Sequence, residues 1–136
     1  PSSSGKTTIT RCLENLEKSI SISEFSAKSF VSGSARVSEE ELDLLPKLKN
    51  SLLITPELQP LLNSSNAKLL ETFSVLVAVL DCNGYTRATG SLGTIGYSGK
   101  HFFNWVSCCA NFPKKFYDFW SMNYHHYLFA ISKYYQ

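Results

Sequence analysis

This sequence of 136 residues predicts an α/β fold, in which helices flank a parallel β-sheet, and three observations carry that expectation. The chain opens on Pro1-Ser2-Ser3-Ser4-Gly5-Lys6-Thr7-Thr8, a loop of small residues that leads into a helical pattern. Two apolar runs, Ser51-Leu52-Leu53-Ile54-Thr55 and Phe102-Phe103-Asn104-Trp105-Val106-Ser107-Cys108-Cys109, have the continuous character of strands buried on both faces. Between them Leu69, Leu70, Phe73, Leu76, Val77 and Leu80 repeat at helical spacing. Helices alternating with doubly buried strands describe an α/β architecture.

The opening loop carries the most chemistry. A phosphate-binding loop has the pattern G-x-x-x-x-G-K-[ST], and residues 1–7 supply all of it except the first glycine, which would stand one position before Pro1. Small residues let successive backbone N–H groups curl round a phosphate, a lysine adds a point charge, and the next hydroxyl ligates Mg²⁺. Ser2, Ser3, Ser4, Gly5, Lys6, Thr7 and Thr8 are therefore the candidate nucleotide-binding residues, with Thr7 the candidate Mg²⁺ ligand. A serine-rich, unstructured start would look similar. Position favours the loop, because Ile9, Cys12, Leu13 and Leu16 follow at i, i+3, i+4, i+7 and begin an amphipathic helix where an anion needs a helix N-terminus. Such a loop joins a buried strand to its helix, so a strand is expected before Pro1 and the chain is expected to be a fragment.

Composition is that of one ordinary globular domain spanning residues 1–136. No apolar run is long enough to cross a bilayer, and no basic-then-apolar leader opens the chain, so no membrane partner and a cytoplasmic location are expected. The net charge of +2, from 13 basic and 11 acidic residues, gives no bulk case for nucleic acid. Cys12, Cys82, Cys108 and Cys109 lack metal-site spacing and read as reduced, structural thiols.

After the first helix, Ile20-Ser21-Ile22-Ser23 alternates as a short strand, and residues 26–37 read as a serine-rich loop with a turn of helix. Ser38-Glu39-Glu40-Glu41 forms a capping box for a short helix reaching about Leu45, with Pro46 expected to stop it. The strand Ser51-Leu52-Leu53-Ile54-Thr55 ends at Pro56-Glu57, and an acid at that place can hold Mg²⁺ through water or polarise an attacking water. Glu57 is thus a candidate catalytic and metal-binding residue, Thr55 standing where an aspartate would be usual. The alternative is a surface glutamate after a core strand.

The long helix starts at Ser64 or Ser65 and ends at Asp81-Cys82-Asn83-Gly84, where Gly84 can take the left-handed conformation. Residues 84–100 hold five of the seven glycines together with Tyr85, Arg87, Tyr97 and Lys100, which predicts a projecting β-hairpin or a mobile loop. Arg87 and Lys100 are candidate phosphate contacts for nucleic acid, against the equally simple reading of a solvated hairpin. Past the second apolar strand, Asn111 is a candidate catalytic residue for sensing a γ-phosphate, or simply turns the chain before Pro113. A helix over residues 113–120 and a last strand over 127–131 complete the pattern, and His125-His126 lacks a third metal ligand in reach.

In this order of elements the chain resembles the core of an AAA+ ATPase, a P-loop NTPase-like domain, and most closely those of phages, plasmids and other mobile elements. The likeness rests on Ser3-Ser4-Gly5-Lys6-Thr7, Ser29-Phe30-Val31-Ser32, Leu53-Ile54-Thr55-Pro56-Glu57-Leu58 and Leu80-Asp81-Cys82-Asn83-Gly84-Tyr85. It implies ATP and Mg²⁺ as cofactors, with ATP binding and hydrolysis at Lys6, Glu57 and Asn111. It also implies a homo-oligomeric ring, and a hairpin insert facing DNA in helicase-like remodelling or translocation. The arginines stop at Arg87, and residues 121–136 resemble neither the lid nor the arginine finger of the family, as in a diverged or truncated tail. Two other readings stay open: a small-molecule kinase, for which residues 21–34 offer only Glu24 as acceptor-binding acid, and a non-catalytic or decayed nucleotide-binding fragment.

Overall fold

The computed structural model describes residues 5–33 and 42–123. Helix α1 (Lys6–Glu14) begins at Gly5, whose φ of 71° is a left-handed turn that glycine adopts without steric cost. Its buried residue is Thr10, whose hydroxyl donates back to the carbonyls of Lys6 at 3.2 Å and Thr7 at 3.1 Å. The apolar stripe expected to pack inward does not do so: Ile9 is 43% and Leu16 53% exposed. The helix meets β1 (Ser19–Ser21) and β2 (Ser51–Thr55), and of the stripe Leu13 is partly buried.

The sheet is parallel, in the order β1-β2-β5, with β5 spanning Phe103–Ser107. Register runs Ile20 to Leu53 to Trp105 across the three strands. As the middle strand, β2 is covered on both faces, and Leu53 and Ile54 are fully buried. β1 is shorter than the alternating segment suggested, since Ile22 already lies beyond it although its N–H still donates to Ile54 O at 2.9 Å. Among the described residues the outer edge of β5 has no strand partner.

Short helix α2 (Ala27–Phe30) carries a reciprocal cap between Ser26 and Ser29 and drives Phe30 into the core. The capping box at Ser38 to Glu41 lies outside the described residues. Pro46 does not stop a helix; it sits in the first turn of a 3₁₀ segment (Leu45–Leu48), where an N–H would have no partner in any case. Helices α3 (Gln59–Leu62) and α4 (Asn66–Leu80) follow β2, and Ser65 caps α4 by accepting from Lys68 N at 3.3 Å. Strands β3 (Gly84–Thr89) and β4 (Gly93–Ser98) form the expected hairpin, and α5 (Lys114–Asn123) closes the described chain. The strand expected over residues 127–131, and His125 and His126, lie outside the described residues.

At the end of α4 the left-handed residue is Cys82, at φ 62°. Gly84, at φ 81°, serves the hairpin instead: a Cβ there would come within 2.3 Å of Tyr97 O, so the facing backbones touch only because the side chain is missing.

One core joins these parts. Phe73 of α4 is fully buried and meets the rings of Trp105 from β5 and of Phe116, Phe119 and Trp120 from α5, at centroid separations of 5.7 to 6.3 Å. Edge-on aromatic packing of this kind fixes the angle of α4 and α5 against the sheet.

Candidate functional site

In a parallel sheet the carboxyl ends of the strands gather the loops that bind ligands. Here the ends of β2 and β5 are sewn together by backbone. Cys108 N donates to Thr55 O at 3.1 Å, Leu58 N donates to Cys108 O at 2.7 Å, and the Ser107 hydroxyl donates to Thr55 O at 3.0 Å. Farther out, Asn111 N donates to Oε1 of Gln59 at 3.2 Å. The turns that carry Glu57 and Asn111 are therefore one hydrogen-bonded unit.

Helix α1 brings its first turn to the same place. The thiol of Cys108 is pushed up by burial, with the Lys6 ammonium opposing and the Glu57 carboxylate adding to the rise. The thiol of Cys109 is likewise raised by burial first, then by Glu57, against Lys6. Both cysteines stay protonated at neutral pH, which fits the free, unreactive thiols expected of them. Lys6 and Glu57, 51 positions apart in sequence, thus both act on this pair of thiols.

Around Lys6 the geometry suits an anion. Gly5 as N-cap offers no side-chain acceptor to the first N–H groups of α1, and among the described residues nothing lies within 4 Å of where its Cβ would be. Lys6 is half-exposed, and Thr7 and Thr8 are exposed. Ser2, Ser3 and Ser4 lie outside the described residues.

The other candidates have structural duties too. Glu57 is exposed and its Oε1 accepts from Gln59 N at 3.1 Å, which caps α3. A carboxylate offers about four acceptor positions, so one cap bond leaves capacity. Beside it is a niche of about 10 Å³ lined by Ser23, Glu24, Thr55 and Glu57, which is room for about one water molecule. Thr55 itself is 2% exposed, and its hydroxyl accepts from Trp105 Nε1 at 3.1 Å, so it belongs to the packing below the site. Asn111 is exposed at the rim.

The hairpin occupies the opposite end of β5. Its base at residues 99–102 runs into Phe103, whereas Cys108 follows Ser107 at the far end, so a five-residue strand of roughly 16 Å separates hairpin and site. Arg87 is turned inward: its Nη2 donates to Ser32 O at 3.0 Å. Lys100 is exposed, with its Nζ 5.7 Å from the centroid of Phe102. A groove of about 740 Å³ lies at this same end, lined by Leu16, Lys18, Phe102 and Asn104, and it does not reach Lys6 or Glu57.

Among the described residues no three His, Cys, Asp or Glu side chains gather to hold a metal ion. Mg²⁺ commonly takes one or two protein oxygens and completes its shell with phosphate and water. Among the described residues no helix is long and apolar enough to cross a membrane. Compared with known proteins, the chain matches no family model, no curated protein and no solved structure.

What sequence reasoning missed is the set of neighbours. Gln59, which ties Glu57 to Asn111, sits before a proline and has no pattern of its own, and Cys108 reads only as the end of a strand.

Proposed function

We propose that the chain is a nucleotide-binding module of the P-loop ATPase kind, which holds Mg²⁺·ATP at the first turn of α1 and hydrolyses it beside Glu57. What supports the reading is the helix α1 that starts at Gly5-Lys6-Thr7, together with Glu57 in the turn whose Leu58 N–H is bonded to Cys108 O at the end of β5. Bound Mg²⁺ would supply charge neutralisation to the phosphate oxygens. Lys6 and the first N–H groups of α1 would bind and orient the anion, and Thr7 and Glu57 would hold the metal, directly or through water. Glu57 draws a proton from a water seated in the adjoining niche, and Asn111 stands at the rim to meet the terminal phosphate. In this class catalysis is mostly positioning and charge stabilisation. A homo-oligomeric ring acting on DNA extends the same reading, with the hairpin as the contact.

A second reading, a nucleotide-binding relic without turnover, draws on Thr55. Its buried hydroxyl is held by Trp105, so β2 presents no acid of its own. The kinase reading gains nothing, because the niche beside Glu24 holds about one water and no acceptor molecule.

Glu57→Gln in the full-length protein separates the first two. The amide keeps the cap on α3 and the shape of the niche but is a poor base, so ATP binding should persist while phosphate release falls by about 100-fold or more. Unchanged release in the variant moves the base elsewhere, and a wild type that binds ATP without releasing phosphate establishes the relic.

For DNA, Arg87 and Lys100 now separate. Lys100→Ala should lower the slope of log K against log salt by about 1 unit, the contribution of one phosphate contact. Arg87→Ala should leave that slope alone and loosen the hairpin. Fluorescence anisotropy across a salt series reads both, and an unchanged slope for Lys100→Ala removes the hairpin base as a phosphate contact.

A further inference from the structure

Asp43 is the one acidic side chain buried in the described chain, at 0% exposure, and nothing in the nucleotide reading uses it. Burying a carboxylate is costly unless hydrogen bonds replace its water. Its Oδ1 accepts from Ser32 N at 2.8 Å and from the Ser32 hydroxyl at 2.6 Å, and its Oδ2 accepts from the Tyr97 hydroxyl at 3.0 Å. Ser32 follows α2, Asp43 precedes the 3₁₀ segment, and Tyr97 is on β4, so one carboxylate ties the hairpin to two separate core segments. Backbone joins the first two as well, since Leu44 N donates to Ser29 O at 2.9 Å.

The hairpin also packs on the core through Ile95, which is buried, and through Tyr85 and Tyr97. Arg87 Nη2 reaches Ser32 O, but its Nε is buried without a hydrogen-bond partner among the described residues. Ile95 packs on Gly33, where a Cβ would fall 2.4 Å from Ile95 Cδ1, so the fit has no slack. The two strands of the hairpin pair only with each other, in a sheet separate from β1-β2-β5. A lone two-stranded hairpin is marginal in water and takes its order from what it docks on.

We propose that Asp43 is a positioning residue that latches the hairpin to the core through Tyr97 and Ser32, and so sets the direction in which residues 84–100 project. The Tyr97 hydroxyl donates to a charged acceptor and Arg87 is a charged donor, so both hydrogen bonds from the hairpin to this corner of the core are of the stronger, charge-assisted kind. The hairpin is then a fixed arm with a releasable foot. The inference is independent of ATP and of DNA, because it concerns only how the arm is held.

Hydrogen–deuterium exchange on the full chain tests it. Tyr97→Phe removes one hydroxyl and keeps the ring, and should speed exchange of the β3 and β4 amides by about 10-fold while α4 keeps its protection. Asp43→Asn should give the same regional pattern with a larger change. Adding Tyr97→Phe to Asp43→Asn should then add little, because both remove one linkage. If Asp43→Asn does not fold, Tyr97→Phe carries the test alone. Hairpin exchange that is unchanged in Tyr97→Phe, a rise shared equally by α4, or full additivity in the double variant would each overturn the latch.

Discussion

Lys6→Ala should weaken Mg²⁺·ATP binding by the full-length protein by about 10- to 100-fold, the loss that follows from deleting a charged hydrogen-bond donor to phosphate. Stability is not the route. Lys6 is half-exposed in the first turn of α1, where a positive charge faces the positive end of the helix dipole, so alanine there should hold the helix at least as well. Isothermal titration calorimetry on a variant with a wild-type denaturation curve gives the comparison. Equal affinity in the two proteins would end the phosphate-loop assignment, and with it the roles given to Thr7 and Glu57. Lys6→Arg is informative as well, because guanidinium keeps the charge but changes its shape and reach.

Most of the elements could be read from the chain because their patterns were local. The spacing of Leu69, Phe73, Leu76 and Leu80 permits only a helix, and Ser65 marks its start. The run Ser51 to Thr55 is apolar without alternation because β2 is the middle strand, covered on both faces. The glycines at 84, 93, 96 and 99 allowed a hairpin or a mobile loop, and the pairing of β3 with β4 makes it the hairpin. The errors came where a residue's partner lay elsewhere in the chain. Pro46 looked like a stop and is the opening of a 3₁₀ turn. The stripe Ile9, Cys12, Leu13 and Leu16 looked like a core face, yet Thr10 is the buried position, since its neighbours on β1 and β2 decide which side of α1 is covered.

The candidate site was legible to a lesser degree. Lys6 and Glu57 followed from the loop and the strand end, but their shared influence on Cys108 and Cys109 depends on the parallel order β1-β2-β5, which no local pattern encodes. Arg87 illustrates the converse. Chemistry alone made it a cation for phosphate, and only the placement of Ser32, 55 positions away, gives it an internal carbonyl. Asp43 was hidden for the same reason. Within Glu40-Glu41-Leu42-Asp43-Leu44 it reads as the polar face of a helix, while its three donors come from Ser32 and Tyr97.

The packing beneath the site provides the other large effect. Phe73→Ala should destabilise the fold by about 3 to 5 kcal/mol, since the ring is fully buried and the cavity left behind is walled by rigid aromatic side chains that cannot collapse into it. In urea this is a fall in midpoint of roughly 2 M, for a slope of about 2 kcal/mol/M. Phe102→Ala is the matched control, because that ring is 51% exposed and its loss should shift the midpoint far less. A Phe73→Ala midpoint within about 0.5 M of wild type would mean that α4 and α5 do not close on β5 as described. The effect should also reach the site. Trp105 packs edge-on against Phe73 and donates to the Thr55 hydroxyl, and Thr55 O accepts from both Cys108 N and the Ser107 hydroxyl. Loosening Trp105 therefore loosens the turn that holds Glu57, and exchange at the Cys108 and Leu58 amides should rise ahead of exchange in β1, which touches none of these groups.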